Sequence, residues 1–238
     1  MIQIGGLQKT TLIDYPGRVA CTVFLIGCNF RCPFCYSPEL VLPERIKLQP
    51  RISEKDFFKF LKERKSLIEG VVICGGEPTI NKDLPQLCKK IKKLGYFVKL
   101  DTNGSNPEML KKLIDDKLVD YLTMDIKAPK EKYGQTVGLL DCWNERMLKN
   151  IEKSIKILKG EKVDYEFRST IVSSIHTKED VIEMAKWIKG AKKYYLQNFW
   201  PQKTINPEFE KIKPYSKDFL LKIKKEISKF FEICEVRG

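Results

Sequence analysis

The chain has 238 residues, 42% of them hydrophobic and 32% charged, with 44 Lys and Arg against 31 Asp and Glu for a net charge of +13. That length suits one large domain with a substantial core, and no apolar run approaches the ~20 residues a membrane-spanning helix needs. The N-terminal MIQIGGLQKTTLIDYPG also lacks the layout of a secretory signal, so a single cytoplasmic domain over 1–238, with no membrane partner, is expected.

Of the eight cysteines, Cys28, Cys32 and Cys35 are clustered, and in a reducing compartment clustered thiols point to metal or redox chemistry rather than disulfides. The positive charge suits nucleic acid, an acidic protein partner or a lysine-rich surface. Lysines in KKIKKLG (89–95) and KIKKEISKF (222–230) stand among apolar residues at helical spacing, which predicts solvated helix faces. No pattern of aromatic and basic residues accompanies the charge, so nucleic acid is not the expected partner.

In chain order, VACTVFLI (19–26) predicts a strand, and it runs into CNFRCPFC (28–35). SEKDFFKFLKERKSLIE (53–69) predicts a helix with Ser53 as its N-cap. GVVIC (70–74) predicts a strand, followed by GGEP (75–78) and a helix over 83–95 closed by Gly95. FVKLD (97–101) leads into DTNG (101–104) and a helix over 107–117. YLTMD (121–125) is a strand with MDIK (124–127) at its end, and a helix follows over 143–159. YEFRSTIV (165–172) contains Arg168 and precedes a helix over 178–190. KYYLQNF (193–199) ends in QNFWP (197–201), before a helix over 216–232.

Six strand–helix units in succession imply a parallel sheet, either an open doubly wound sheet or an incomplete barrel. In such folds the strand carboxyl ends share one face, so the six unusual segments converge on one cavity. A closed structural zinc site takes four soft ligands, whereas three leave a position open. Three thiolates, Cys28, Cys32 and Cys35, suffice for three irons of a four-iron, four-sulfur cluster, with the fourth iron left for a small molecule. Gly75 and Gly76 let backbone approach a ligand closely beside Glu77. Asp101 and Thr102 offer oxygen ligands to a hard cation or a polar group, Asp125 and Lys127 project to one side of their strand, and Arg168 can fix a carboxylate through its planar fork.

Each feature has a plainer reading: a zinc site completed by Cys74 or His176, turns at GGEP and DTNG, an exposed Asp125–Lys127 pair, and Arg168 paired with Asp164 or Glu166 at a sheet edge. These readings would have to hold together at one end of one sheet, and they are rejected as a set. His176, the single histidine, is expected to be structural, as are Cys21, Cys74, Cys88, Cys142 and Cys234. No hydrolase triad, nucleophile elbow or phosphate-binding loop is present in the sequence.

CNFRCPFC, spaced Cys-x3-Cys-x2-Cys, resembles the cluster motif of radical S-adenosylmethionine (radical SAM) enzymes, and GGEP resembles the segment that binds the SAM amino group. LIDYPGRVACTVFLIGCNFRCPFCYSPEL, LDTNG, MDIKAP, VDYEFRSTIV and HTKEDVIEMAKWIKGAKKYYLQNF together resemble the glycyl-radical-enzyme activating enzymes, most of all the anaerobic ribonucleoside-triphosphate reductase activating proteins. The resemblance implies a partial (β/α)6 TIM-type barrel, a [4Fe-4S] cluster on Cys28, Cys32 and Cys35, and SAM chelated by the open iron. It implies Gly75, Gly76 and Glu77 at the SAM amino end, Lys127 and Arg168 at its methionine or ribose, and Phe34 and Tyr36 at its adenine. A monovalent cation is implied at Asp101, Thr102 and Asp125, with the Thr123 carbonyl. The implied reaction takes one electron from a flavodoxin or ferredoxin-type donor, cleaves SAM to a 5′-deoxyadenosyl radical, and removes a Cα hydrogen from a glycine of the partner enzyme. A radical SAM enzyme acting on a small molecule or tRNA is the second reading. The chain departs from the family pattern in having no second cysteine cluster, and in QNFWP, where Trp200 stands in a segment expected to be more polar.

Overall fold

Apolar and polar side chains alternate along KLDT (99–102), LTMD (122–125) and YEFRSTI (165–171), so each of these strands presents a dry face and a polar face. The apolar face, including Leu100, Leu122, Met124, Tyr165 and Phe167, packs into one continuous core with the covering helices. The other face carries Lys99, Asp101, Glu166 and Arg168 and looks into the concave side of the sheet.

The structure is a computed structural model that describes residues 2–160 and 162–237, so positions 1, 161 and 238 of the expected domain lie outside the described residues. In chain order the elements are β1 (Ile4–Thr11), β2 (Ala20–Leu25), α1 (Pro38–Val41), α2 (Pro43–Ile46), α3 (Glu54–Glu63), β3 (Gly70–Gly75), α4 (Leu84–Lys93) and β4 (Phe97–Thr102). They continue with α5 (Pro107–Asp115), β5 (Tyr121–Asp125), α6 (Tyr133–Thr136), α7 (Glu145–Lys159), β6 (Asp164–Ile171), α8 (Lys178–Trp187), β7 (Lys193–Asn198), α9 (Lys217–Ile227) and β8 (Ile233–Arg237). No described helix is long and apolar enough to cross a membrane.

The eight strands among the described residues form one sheet in the order β1-β2-β3-β4-β5-β6-β7-β8. A doubly wound sheet reverses direction at a switch point. Here strand order follows chain order, parallel from β2 to β8, which is the arrangement of a barrel left open. The six expected strand–helix units are present, and the structure adds two strands. β1 pairs antiparallel with β2, and β8 extends the far edge beyond β7. Most of the helices end earlier than expected, above all α3 at Glu63 and α9 at Ile227. The expected N-cap is present, with the Ser53 side chain accepting from the Asp56 N–H.

Candidate functional site

Cys28, Cys32 and Cys35 lie on the irregular segment between β2 and α1, and all three are free thiols. Arg31 braces this segment, its guanidinium donating to the carbonyls of Cys28 at 2.7 Å and Phe30 at 2.8 Å. A later segment holds it from the other side, with Ile205 N–H on the Cys35 carbonyl and Asn206 N–H on the Pro33 carbonyl. Burial pushes the Cys28 and Cys32 thiols up to about 12, and raises Cys35 as well. Ionising these thiols needs compensating positive charge, which Lys127 supplies in part and a bound metal group would complete.

Among the described residues no group of three or more His, Cys, Asp or Glu closes round a single metal ion. Of the two residues expected to complete a zinc site, Cys74 joins the three cysteines in no metal-holding group among the described residues, and His176 has both ring nitrogens engaged: Nδ1 accepts from the Val172 N–H at 3.0 Å and Nε2 meets the Lys127 carbonyl at 2.7 Å. Three cysteines on one loop, facing one cavity without converging on a point, fit a multi-iron cluster better than a lone ion.

At GGEP the glycines serve the cysteine loop itself. A Cβ on Gly76 would lie 2.0 Å from the Gly27 carbonyl oxygen, and one on Gly75 would lie 2.4 Å from the backbone of Leu25. Only bare backbone lets the end of β3 nest against the strand end that launches Cys28. Glu77 is 1% exposed, and its carboxylate ties β3 to β4. Oε1 accepts from the Thr79 N–H and hydroxyl and from the Thr102 hydroxyl, and Oε2 accepts from the Asn103 N–H at 2.6 Å. Its side chain is thus an anchor for two loops.

Across the cavity stands a chain of alternating charges. Lys99 pairs with Asp101, which meets Arg168 at 3.4 Å. Arg168 Nε donates to Asp125 at 2.8 Å, and Lys127 pairs with the other Asp125 oxygen at 2.8 Å. Strand register accounts for this, because Asp125 lies opposite Arg168 and Asp101 opposite Thr123 in the parallel ladder. Burial alone would raise the Asp125 carboxyl, but Arg168 and Lys127 outweigh it and hold the group well below the usual carboxylate range. Burial would likewise lower Lys127, and Asp125 and Cys32 reverse that. The plainer readings of an exposed Asp125–Lys127 pair and of Arg168 beside Glu166 therefore do not hold. Arg237 instead takes Glu166, at 2.8 and 3.0 Å.

The cation site expected at Asp101, Thr102 and Asp125 has these side chains together, but its donors are already engaged. Lys99, Arg168 and Lys127 face the carboxylates, while the Thr102 hydroxyl donates to Glu77 and accepts from the Gly104 N–H. The set does not fit a metal cation.

A cavity of about 350 Å³ brings the expected residues together: Cys28, Cys32, Cys35, Phe34, Tyr36, Gly75, Gly76, Glu77, Asp101, Thr102, Asp125, Lys127 and Arg168 all line it. Cys74 also lines it, beyond its expected packing role, as do Phe30, Asn103, Thr170 and Gln197. Thr170 was legible from β6, where it follows Arg168 at strand period two, and Gln197 lies opposite it on β7. Trp200 stands outside, 67% exposed, with its backbone N–H on the Tyr36 hydroxyl.

Comparison with known proteins agrees with this geometry. A protein of Methanocaldococcus jannaschii named as a candidate glycyl-radical enzyme activating enzyme is 30% identical over 237 residues, covering 98% of this chain and 95% of its own. The 7-carboxy-7-deazaguanine synthase of Thermococcus kodakarensis is 28% identical over 76% of this chain and 74% of its own. In fold, the crystal structure of Streptococcus suis SuiB bound to S-adenosylmethionine superposes with a TM-score of 0.66 at 17% identity, over 90% of this chain. The chain spans about half of SuiB, 48% of its length. The radical SAM superfamily model matches residues 22–188, from β2 through α8. The chain therefore belongs to the radical SAM superfamily.

Proposed function

We propose that this radical SAM enzyme is a glycyl-radical-enzyme activase whose substrate is a glycine of a partner protein, the anaerobic ribonucleoside-triphosphate reductase. The observation that carries the reading is the end-to-end likeness to the M. jannaschii relative, which leaves little of either chain unmatched. The superfamily uses a [4Fe-4S] cluster and SAM, and when bound they supply a 5′-deoxyadenosyl radical that takes a hydrogen atom. On this reading Cys28, Cys32 and Cys35 hold the cluster, and Gly75, Gly76 and Glu77 border the SAM amino end. Lys127 and Arg168 meet its carboxylate or ribose, while Phe34 and Tyr36 border its adenine. Residues 1–238 act as a single cytoplasmic domain, supplied with electrons by a flavodoxin or ferredoxin-type protein.

A protein loop needs a wide entrance, and a second cavity of about 670 Å³ supports this. It shares Tyr36, Asp101, Arg168, Thr170 and Gln197 with the first and extends to Ile13, Pro16 and Trp200. Leu12 and Ile13 are exposed beside it, as a surface covered by a partner would be.

The test is anaerobic reconstitution with iron and sulfide, reduction, and addition of SAM with and without the reductase. Formation of 5′-deoxyadenosine, lost in Cys32→Ala, together with a glycine-centred radical on the reductase, is expected. SAM cleavage without a radical on any glycine-bearing partner would remove the activase reading. It would favour the small-molecule reading, which the likeness to 7-carboxy-7-deazaguanine synthase supports.

A further inference from the structure

The family resemblance puts a metal cation beside Asp101, Thr102 and Asp125, and the structure puts three of the chain's own cations there instead. Asp101 has Lys99 on Oδ1 and Arg168 on Oδ2. Asp125 has Arg168 on Oδ1 and Lys127 on Oδ2. All four carboxylate oxygens therefore face a protein cation, and the third expected ligand, the Thr102 hydroxyl, is held between Glu77 and Gly104. Hard cations such as sodium and potassium bind through oxygens with lone pairs to give. Each of the four carboxylate oxygens already accepts from an ammonium or guanidinium, so a metal ion would have to share it with a like charge.

Charge leads to the same conclusion. Lys99, Arg168 and Lys127 against Asp101 and Asp125 leave the cluster with a net charge of +1. A metal cation would raise it to +2 in a partly dry cavity, where like charges repel far more strongly than in water. Within that chain of pairs, Arg168 and Lys127 line the cavity with the cysteines and can face the SAM carboxylate.

Lys99 is the residue that makes the difference. It sits at period two from Asp101 in FVKLDT, so the strand turns both side chains to the concave face. It is 2% exposed, which for a lysine requires a committed partner. An ammonium offers three donors from a fixed tether and does not exchange with the solution.

We propose that the Lys99 ammonium, with Arg168 and Lys127, takes the place of the metal cation, so that SAM binding and cleavage by this enzyme need no added monovalent metal. The inference rests on the chain binding SAM, and it is independent of which partner carries the glycine.

The experiment compares the reconstituted enzyme in choline, sodium and potassium chloride at equal ionic strength, reading the SAM dissociation constant and the rate of 5′-deoxyadenosine formation. The expected result is agreement among the three salts to within about twofold. Binding or cleavage about tenfold better in sodium or potassium than in choline would overturn the proposal. Lys99→Met keeps the side chain's length and removes its charge. This variant is expected to gain a salt preference, binding SAM about tenfold more weakly in choline and recovering in sodium or potassium. A folded Lys99→Met with no such preference would also overturn it, and if the variant does not fold the wild-type comparison decides alone. Absence of SAM cleavage in every salt would count against the radical chemistry, while the dissociation constants would still report on the cation.

Discussion

His176 shows how one side chain can serve the site without entering it. Its Nδ1 accepts from the Val172 N–H, so the proton sits on Nε2, which donates to the Lys127 carbonyl. The ring thereby fixes the segment that carries Lys127 to the cavity. It is 1% exposed, and burial lowers its pKa, outweighing the hydrogen bonds that act the other way. The sign follows from linkage: the unfolded chain takes up the proton first as pH falls. Stability from the neutral ring is complete above the ordinary value of 6.5 and is lost as pH drops from there toward the lower folded value. Urea midpoints should therefore fall between about pH 7.5 and about pH 5.5, at up to ~1.4 kcal/mol per pH unit. In His176→Gln that component should be missing, and an unchanged pH dependence in the variant would show that another group titrates. The structural role of this histidine was legible from its place just before a helix. Its contact with Lys127 was not, since the two are 49 residues apart and meet only through the sheet. Lys99 was missed for a related reason: in a basic chain one more lysine on a strand carries no signal until its burial is known.

At the scale of elements, the strand ends made the site legible, because in a parallel sheet they fall on one face whatever the details of the loops. The two added strands escaped for different reasons. β1 reads IGGLQKTT, with paired glycines and a polar half that weaken any strand pattern. β8 follows directly on a long amphipathic stretch, and α9 gives way near Ser228, whose hydroxyl bonds back to the Lys224 carbonyl, before ICEVR can pair. GGEP was legible as a close backbone approach, although the nearest approach proves to be to the cysteine loop. Gly76→Ala tests this. Its Cβ would meet the Gly27 carbonyl, pushing the loop away from β3 and destabilising the chain by about 1–3 kcal/mol through overpacking. The expected variant is folded by circular dichroism but takes up markedly less iron and sulfide on reconstitution than the wild type. Full cluster loading in Gly76→Ala would mean that the two segments need not nest.

Seen as a whole, the molecule is a barrel left open and lined with ion pairs. Buried pairs contribute little net stability while intact, but breaking one by removing a single partner is strongly destabilising. Glu166 is 1% exposed on β6, and Arg237, the last residue of β8, grips both of its oxygens while lying 3.3 Å over the Tyr195 ring. The C-terminal strand is therefore held to the sheet by its ladder with β7 and by a charge contact reaching past β7 to β6. Arg237→Met should lower the free energy of unfolding by about 1–3 kcal/mol. Glu166 then keeps the Tyr121 hydroxyl at 2.9 Å and the Thr123 hydroxyl at 3.4 Å but no cation, while water can reach part of the space the half-buried Arg237 leaves. Adding Glu166→Gln should recover part of that loss, since the uncompensated charge is then gone, and the two substitutions should couple rather than add. Urea unfolding of the wild type, both single variants and the double variant measures this directly. Additive losses would mean that Arg237 stabilises β8 through Tyr195 and the ladder alone, and that the floor of the open barrel does not depend on this pair.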